Sequence, residues 1–452
     1  MLNQFNQLPR PIRILAIVLG LLLLAVIVYN IPFVNDKLSW RIDEFRSQIV
    51  GIIHPPDQAV FVPMARTTGT LPAPQVRVTA LPSPEDEKSP TPSAPVLTPT
   101  ITPTPLPVAV TLPGVKYVDQ NNRWNYCGPA NLTMALNFWG WKGDRDDVAR
   151  AIKPGESNPK KDFIQQGLTD KNVMPYEMVD FVNDDTEFHA LSRYGGSLDL
   201  IKNFIAAGYP VLTEKGYYER DVNGKVSWMG HYQFITAYDN AAGAFTVQDT
   251  YLDGPNFKVS YDDFQDGWRD FNYLFMVVYP PDRETDVHNL LGDWADTKWA
   301  NQHALDVANE EVTTQTDIRS FFAWFNKGTS HVQLQQYIDA ANAYDQAFTI
   351  YASLGDDNTQ RPYRMMWYQT GPYWAYYYSG RYQDVINLAN TTLGTVLGGP
   401  TLEESLYWRG MAEWATGDTV AAIKDFQDAV YYNRHFQVAI NQLQALGVAV
   451  KP

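Results

Sequence analysis

The sequence predicts an α+β domain followed by an all-α helical domain, both carried behind an N-terminal transmembrane helix. Three observations predict this. An uncharged apolar run fills residues 14–29. Between residues 114 and 285, helical periodicity comes first and strand-like alternation follows, the order expected of an α+β fold. Beyond about Leu290 the chain is helical in pattern and rich in Ala, Tyr and Trp.

The first element is the apolar run, which extends to Val34 with Asn30 and Pro32 as interruptions. At about 1.5 Å per residue, roughly 20 residues cross a hydrocarbon core of about 30 Å. Residues 14–34 are read as a transmembrane signal anchor; a cleavable signal peptide is the rival. The head, residues 1–13, carries Arg10 and Arg13 and no acid, which places it in the cytoplasm and the rest of the chain at the bacterial cell surface. Residues 35–53 mix charges with Leu38, Trp40, Ile42 and Phe45, as a juxtamembrane amphipathic helix would. Residues 54–113 form a Pro/Thr-rich linker. Stretches such as Pro-Thr-Pro-Ser-Ala-Pro exclude helix and central strand and favour extended polyproline II.

Residues 114–285 make the first folded domain. A helix is expected over Asn131–Trp139 and another over Asp144–Lys153. Leu198, Ile201, Phe204 and Ile205 share one face of a third, with Ser197 as its N-cap and Gly208 just past its end. Val211-Leu-Thr, His231–Tyr238, Ala244–Gln248 and Tyr273–Tyr279 read as strands, with Asp239–Gly243 a hairpin turn between the second and third. Trp228-Met-Gly230 reads as a turn, so His231 is expected at a strand start.

Residues 286–452 make the second domain. Tyr337–Phe348, Ala375–Ile386 and Trp408–Phe426 look like variants of one unit. The second and third share an aromatic, a Gly at the turn, then an apolar second helix; the set resembles degenerate tetratricopeptide repeats of about 34 residues. A generic helical bundle is the alternative. Such repeats present surfaces for peptides or partner proteins.

Composition narrows the function. The net charge is −15, with 50 acidic against 35 basic residues, and no basic stripe marks a nucleic-acid partner. Cys127 is the only cysteine, which excludes an intramolecular disulfide and a Cys-cluster zinc site. It sits in Trp124-Asn-Tyr-Cys127-Gly-Pro129-Ala, at or just before a helix N-terminus. Pro129 suits the first turn. The partial positive charge there favours thiolate, the state a nucleophile needs. An inert buried cysteine is the bland alternative. A base is available in His231, and Asp249, beyond the next strand, can approach it across the hairpin. Gln120, seven residues before Cys127, can supply an amide N–H to an oxyanion beside the Cys127 backbone N–H. The segment Asn131-Leu-Thr133 is a formal glycosylation sequon inside the expected helix, and Asp249–Asp253 lacks calcium-ligand spacing.

The ordered set Gln120…Cys127-Gly-Pro-Ala…Gly230-His231-Tyr-Gln-Phe…Gln-Asp249 resembles the papain-like cysteine peptidases of the bacteriocin leader-processing (double-glycine peptidase-like) type. The Leu198–Val211 segment is similar to theirs as well. The resemblance implies Cys127 as nucleophile, His231 as base, Asp249 as its orienter and Gln120 as oxyanion donor, acting on a peptide or protein substrate with no cofactor and no metal. Classical members are fused to a transporter, and this sequence has no Gly-x-x-x-x-Gly-Lys-Ser/Thr motif. The competing function class is a non-catalytic surface binding or scaffold protein.

Overall fold

The computed structural model describes residues 9–31, 60–64, 105–167, 172–220, 226–251, 253–355, 361–395 and 402–450, with isolated positions between 34 and 53. Most of the expected cytoplasmic head, juxtamembrane helix and linker lie outside the described residues.

Helix α1, Arg10–Tyr29, is apolar and N-terminal, with Pro11 in its first turn. It ends sooner than the expected Val34. The Asn30 side chain folds back to donate to the Val26 carbonyl at 2.8 Å, and Pro32 has no N–H with which to continue the helix. Large apolar side chains from Ile14 to Val28 stand 41–62% exposed, a surface that only an apolar environment or another chain would cover.

The first folded region contains β1 (Ala109–Thr111), α2 (Cys127–Phe138), α3 (Arg145–Ile152), α4 (Phe163–Gly167), α5 (Pro175–Asp185), β2 (His189–Arg193), α6 (Leu198–Ala206), β3 (Val211–Arg220), β4 (Val226–Asp239), β5 (Ala244–Gln248), β6 (Phe257–Ser260), α7 (Tyr261–Arg269) and β7 (Phe275–Tyr279). The sheet is antiparallel, in the order β2-β7-β3-β4-β5-β6, with β1 pairing the end of β4 that β3 leaves free. Both faces are covered. Leu212, Tyr232, Phe234, Met276 and Val278 pack under α2, α3 and α5. Their neighbours Val211, Ile235, Phe275 and Val277 pack against α6 and α7. Burial of alternate residues on opposite faces explains why these strands read as nearly continuous apolar runs.

Local chemistry sets the boundaries. Asp144 caps α3 by accepting from the backbone of Asp146 and Asp147, and Ser197 caps α6 through Leu200 at 3.1 Å. Gly208 takes φ +96°, ending α6 in the left-handed conformation that glycine permits. The expected turn at Trp228–Gly230 is instead strand. A hairpin of ten paired residues runs from Val211↔Ile235 to Arg220↔Val226, and it places Gly216 opposite Gly230. His231 is therefore inside β4. Cross-strand pairing outweighed the local turn preference of Met-Gly. The expected linker also contributes to the fold at two points. Ala109–Thr111 pairs with β4, and Phe61 is 4% exposed, packed edge-on to Phe348 at 4.9 Å between ring centroids. Both are short β-branched or aromatic runs set between prolines: Val60–Val62 before Pro63, and Val108–Leu112 between Pro107 and Pro113.

The chain continues as helices: α8 (Glu284–Leu291), α9 (Thr297–Thr314), α10 (Asp317–Gln333), α11 (Tyr337–Ser353), α12 (Met365–Tyr368), α13 (Gly371–Tyr378), α14 (Tyr382–Gly394), α15 (Glu403–Thr416), α16 (Thr419–Tyr432) and α17 (Gln437–Ala445). Gly417, at φ +95°, turns α15 into α16, and Asp418 caps the latter through Ala421. One apolar cluster joins the two regions. Trp228 of β4, Phe271 and Leu274 pack with Phe321, Phe322 and Phe325 of α10, and Trp228 also meets the Tyr368 ring at 5.6 Å. The core thus crosses the boundary expected between residues 285 and 286.

Candidate active site

Cys127 is the first residue of α2. The chain enters the helix through Asn125 at φ 51°, and Tyr126 accepts from the Ala130 N–H at 2.9 Å. Residues Gly128 to Leu136 are buried, so α2 is a core helix with its N-terminus at the rim of the sheet. Two bonds hold it there. Trp139 Nε1 donates to the Val278 carbonyl at 2.7 Å, and Asn131 Nδ2 donates to the Tyr232 carbonyl at 2.9 Å. The second fixes the thiol against the residue next to His231. Asn131 is fully buried, which removes the glycosylation reading.

The structure brings Cys127, His231 and Asp249 together. The Cys127 side chain lies beside the His231 imidazole and the backbone of Tyr232 and Gly128. His231 Nε2 stands 3.3 Å from Asp249 Oδ2, within ion-pair reach. The Asp249 carboxylate is itself held: Gln233 Nε2 donates to Oδ2 at 3.0 Å and the Tyr251 N–H to Oδ1 at 2.8 Å. Tyr217 of β3 meets the imidazole edge-on at 5.7 Å.

The electrostatics favour charge separation. Burial pushes the Cys127 thiol up, but its hydrogen bond to His231 and the imidazolium charge pull harder, and the net is below the ordinary thiol value. Burial lowers His231, whereas Asp249 and then Cys127 raise it, to about 10. Asp249 lies well below the carboxylate range: burial opposes its ionisation, and the charge and contact of His231 with the bonds from Gln233 and Tyr251 overcome that. Each shift favours the thiolate–imidazolium pair over the neutral one.

Gln120 reaches the site through Thr250. Its N–H donates to the Thr250 carbonyl, and its Oε1 accepts from Thr250 Oγ1, both at 2.9 Å. With the carbonyl oxygen turned to Thr250, the amide nitrogen is on the opposite side of the carboxamide. Asn131 Nδ2 lies 3.5 Å from the same hydroxyl, so one network links the helix of Cys127, the Asp249 loop and Gln120.

Sequence reasoning missed four neighbours. Asn131 sits one helical turn after Cys127, a spacing that could have flagged it. Gln233 lies on the same face of β4 as His231, two residues on. Glu214 of β3 is 2% exposed, and burial followed by the nearby Cys127 charge raises it well above the carboxylate range. Tyr368 comes from the helical region. It packs where a Cβ at Gly230 would sit, and the Cys127 charge helps to raise its hydroxyl. No sequence signal marks the contact of Tyr368 with Gly230, 138 positions away.

Residues 113–276 match the family model described as "Peptidase_C39 like family". These residues form a Peptidase C39-like domain. Among solved structures, the chain is similar to a C39-like protein from Bacillus anthracis, at 17% identity over 38% of this chain and 96% of that one, with a TM-score of 0.30. It is also similar to the peptidase domain of Streptococcus ComA, a bifunctional ABC transporter involved in quorum sensing, at 15% identity over 38% and 98%, TM-score 0.25. Xylellain, a cysteine protease from Xylella fastidiosa, gives 14% identity over 39% and 87%, TM-score 0.26. No curated protein matches the chain.

Proposed function

We propose that this chain is a membrane-anchored, surface-displayed cysteine peptidase or amide hydrolase. Cys127 is the nucleophile, His231 the general base and acid, Asp249 the group that orients His231, and Gln120 the oxyanion donor. The observation that carries the reading is the alignment of thiol, imidazole and carboxylate, with the thiol lowered and the imidazole raised.

The Cys127 thiolate attacks the carbonyl carbon of an amide. The oxygen takes the negative charge, which the Gln120 amide and the N–H at the start of α2 stabilise. Imidazolium gives its proton to the leaving amine, the C–N bond breaks, and a thioester remains. Water, deprotonated by His231, attacks the thioester and releases the acid and the thiolate. An amine in place of water completes a transpeptidation at the same site. Asp249 keeps the ring oriented and stabilises imidazolium throughout.

Helix α1 supplies the anchor in this reading, and the helical region acts as tetratricopeptide-like repeats that receive a protein partner. The α15–Gly417–α16 turn supports the repeats. The non-catalytic binding reading draws on one observation: His231 is only 4% exposed. Labelling with a panel of activity-based thiol probes separates the two. Wild type should label at Cys127, while the His231→Ala protein, melting near the wild-type temperature, should lose at least tenfold in rate. Equal labelling of both proteins would sink the peptidase reading.

A further inference from the structure

A cavity of about 680 Å³ lies between α5 of the C39-like domain and the helical region. That volume suits a ligand of several peptide units. Its lining is acidic, with His435 the one basic residue type among the described residues. Glu177, Asp180, Asp184, Asp185, Glu214 and Glu404 line it, and among the described residues no Lys or Arg does. Aromatic walls complete it. Trp374 and Trp408, 4.8 Å apart between ring centroids, stand on the helical side with Tyr407. Tyr176 spans the two regions, its hydroxyl donating to Glu404 Oε1 at 2.9 Å.

A second observation points to a ligand. Glu214 is buried, lines the cavity, and its Oε2 has no hydrogen-bond partner. A buried carboxyl oxygen left without a donor costs free energy that an incoming N–H would recover. Two of its lining residues flank β4 beside His231: Glu214 pairs with Tyr232 across the β3–β4 hairpin, and Tyr368 packs on Gly230.

We propose that this cavity is a subsite for a basic side chain of a peptide substrate, the Lys or Arg head entering between α5 and the helical region to meet Glu404 and Glu214. The proposal rests on the peptidase reading above and adds substrate class to it. Three properties of the cavity select this occupant. Its carboxyls offer acceptors to a cation. Its indoles offer faces for cation–π contact. Burial, the main cause, holds Glu214, Glu404 and Asp180 above their ordinary carboxyl values, and a cation relieves that cost. The helical region then contributes directly to specificity, because Glu404, Trp374 and Trp408 belong to it.

The test uses the full chain in detergent micelles carrying Cys127→Ala, so that binding is read without turnover. The probes are an N-acetylated, C-amidated tetrapeptide of arginine and glycine and its citrulline counterpart, which keeps the shape and removes the charge. Calorimetry should show the arginine peptide binding at least tenfold more tightly. The triple substitution Asp180→Asn, Asp184→Asn and Glu404→Gln should remove at least tenfold of that affinity. Circular dichroism should show the melting transition kept; if the triple variant is unfolded, Asp180→Asn with Asp184→Asn alone, both on the exposed side of α5, should still cost at least threefold. Equal affinity for the two peptides, no binding of either at millimolar concentration, or wild-type affinity in the folded variants would overturn the subsite. Probe labelling of wild-type Cys127 reports separately on the peptidase reading: arginine preference without labelling removes the peptidase, and labelling without arginine preference removes the subsite.

Discussion

At the scale of single residues, the site depends on two opposed shifts. His231 is raised above its unfolded value of about 6.5, so the stability it contributes is complete below that pH and is lost as pH rises through about 10. Asp249 is depressed, so its contribution is present above about pH 4 and is lost as pH falls below that. Melting curves should therefore separate wild type from Asp249→Asn most widely near pH 5–6 and bring the two together towards pH 10; a constant gap across that range would contradict the pairing. Iodoacetamide should modify wild type at pH 6 at least tenfold faster than it modifies a free-cysteine peptide, whose thiol of pKa about 8.5 is almost wholly protonated there. Equal rates would mean that the thiolate is not stabilised. Gln120→Ala should reduce turnover about 10²- to 10³-fold, the usual loss of one oxyanion donor, with melting almost unchanged. The grouping of Cys127, His231 and Asp249 was legible because chemistry restricts residue types and chain order: a lone cysteine before Gly-Pro, a histidine after glycine, an aspartate past the next apolar run. Glu214 and Asn131 were not. Their roles come from packing in three dimensions, and a glutamate in a strand gives no local sign of being buried.

At the scale of elements, glycine decides how closely neighbours approach β4, the strand that carries His231. A Cβ at Gly230 would lie 2.6 Å from Phe271 Cζ and 2.7 Å from Tyr368 Cδ1, both atoms of packed rings. Gly230→Ala should destabilise by about 1–3 kcal/mol, the range for overpacking a core, and should slow Cys127 labelling because β4 carries His231. Thermal melting and probe labelling check the two effects; wild-type values for both would show that the rings yield freely. The capped helices α3 and α6 and the hairpin at Asp239–Gly243 were readable from sequence because capping and turn chemistry are local. The length of the β3–β4 hairpin was not, because its register is set by partners rather than by its own residues.

For the whole molecule, the joint core across residue 285 sets the unit of folding. Removing the helical region would expose Trp228, Phe271 and Leu274, which are at most 4% exposed in the intact chain. A fragment of residues 105–288 should melt well below the full chain and bind a hydrophobic dye; a melting temperature equal to that of the full chain would show that the C39-like domain stands alone. The burial of Phe61 bears on how the protein stands relative to the lipid. The chain leaves α1 at Tyr29, docks Phe61 and Met64 on the helical region, and only afterwards passes through the proline-rich stretch to reach β1. Residues 64 and 109 are therefore both held on the same folded body. In the anchored reading proposed above, residues 30–60 alone set the height above the bilayer. Doubling residues 65–104 should leave the distance between a fluorophore on the helical region and a lipid-borne quencher unchanged, at a closure cost of about 0.6 kcal/mol. Shortening residues 35–58 should bring that fluorophore nearer to the bilayer.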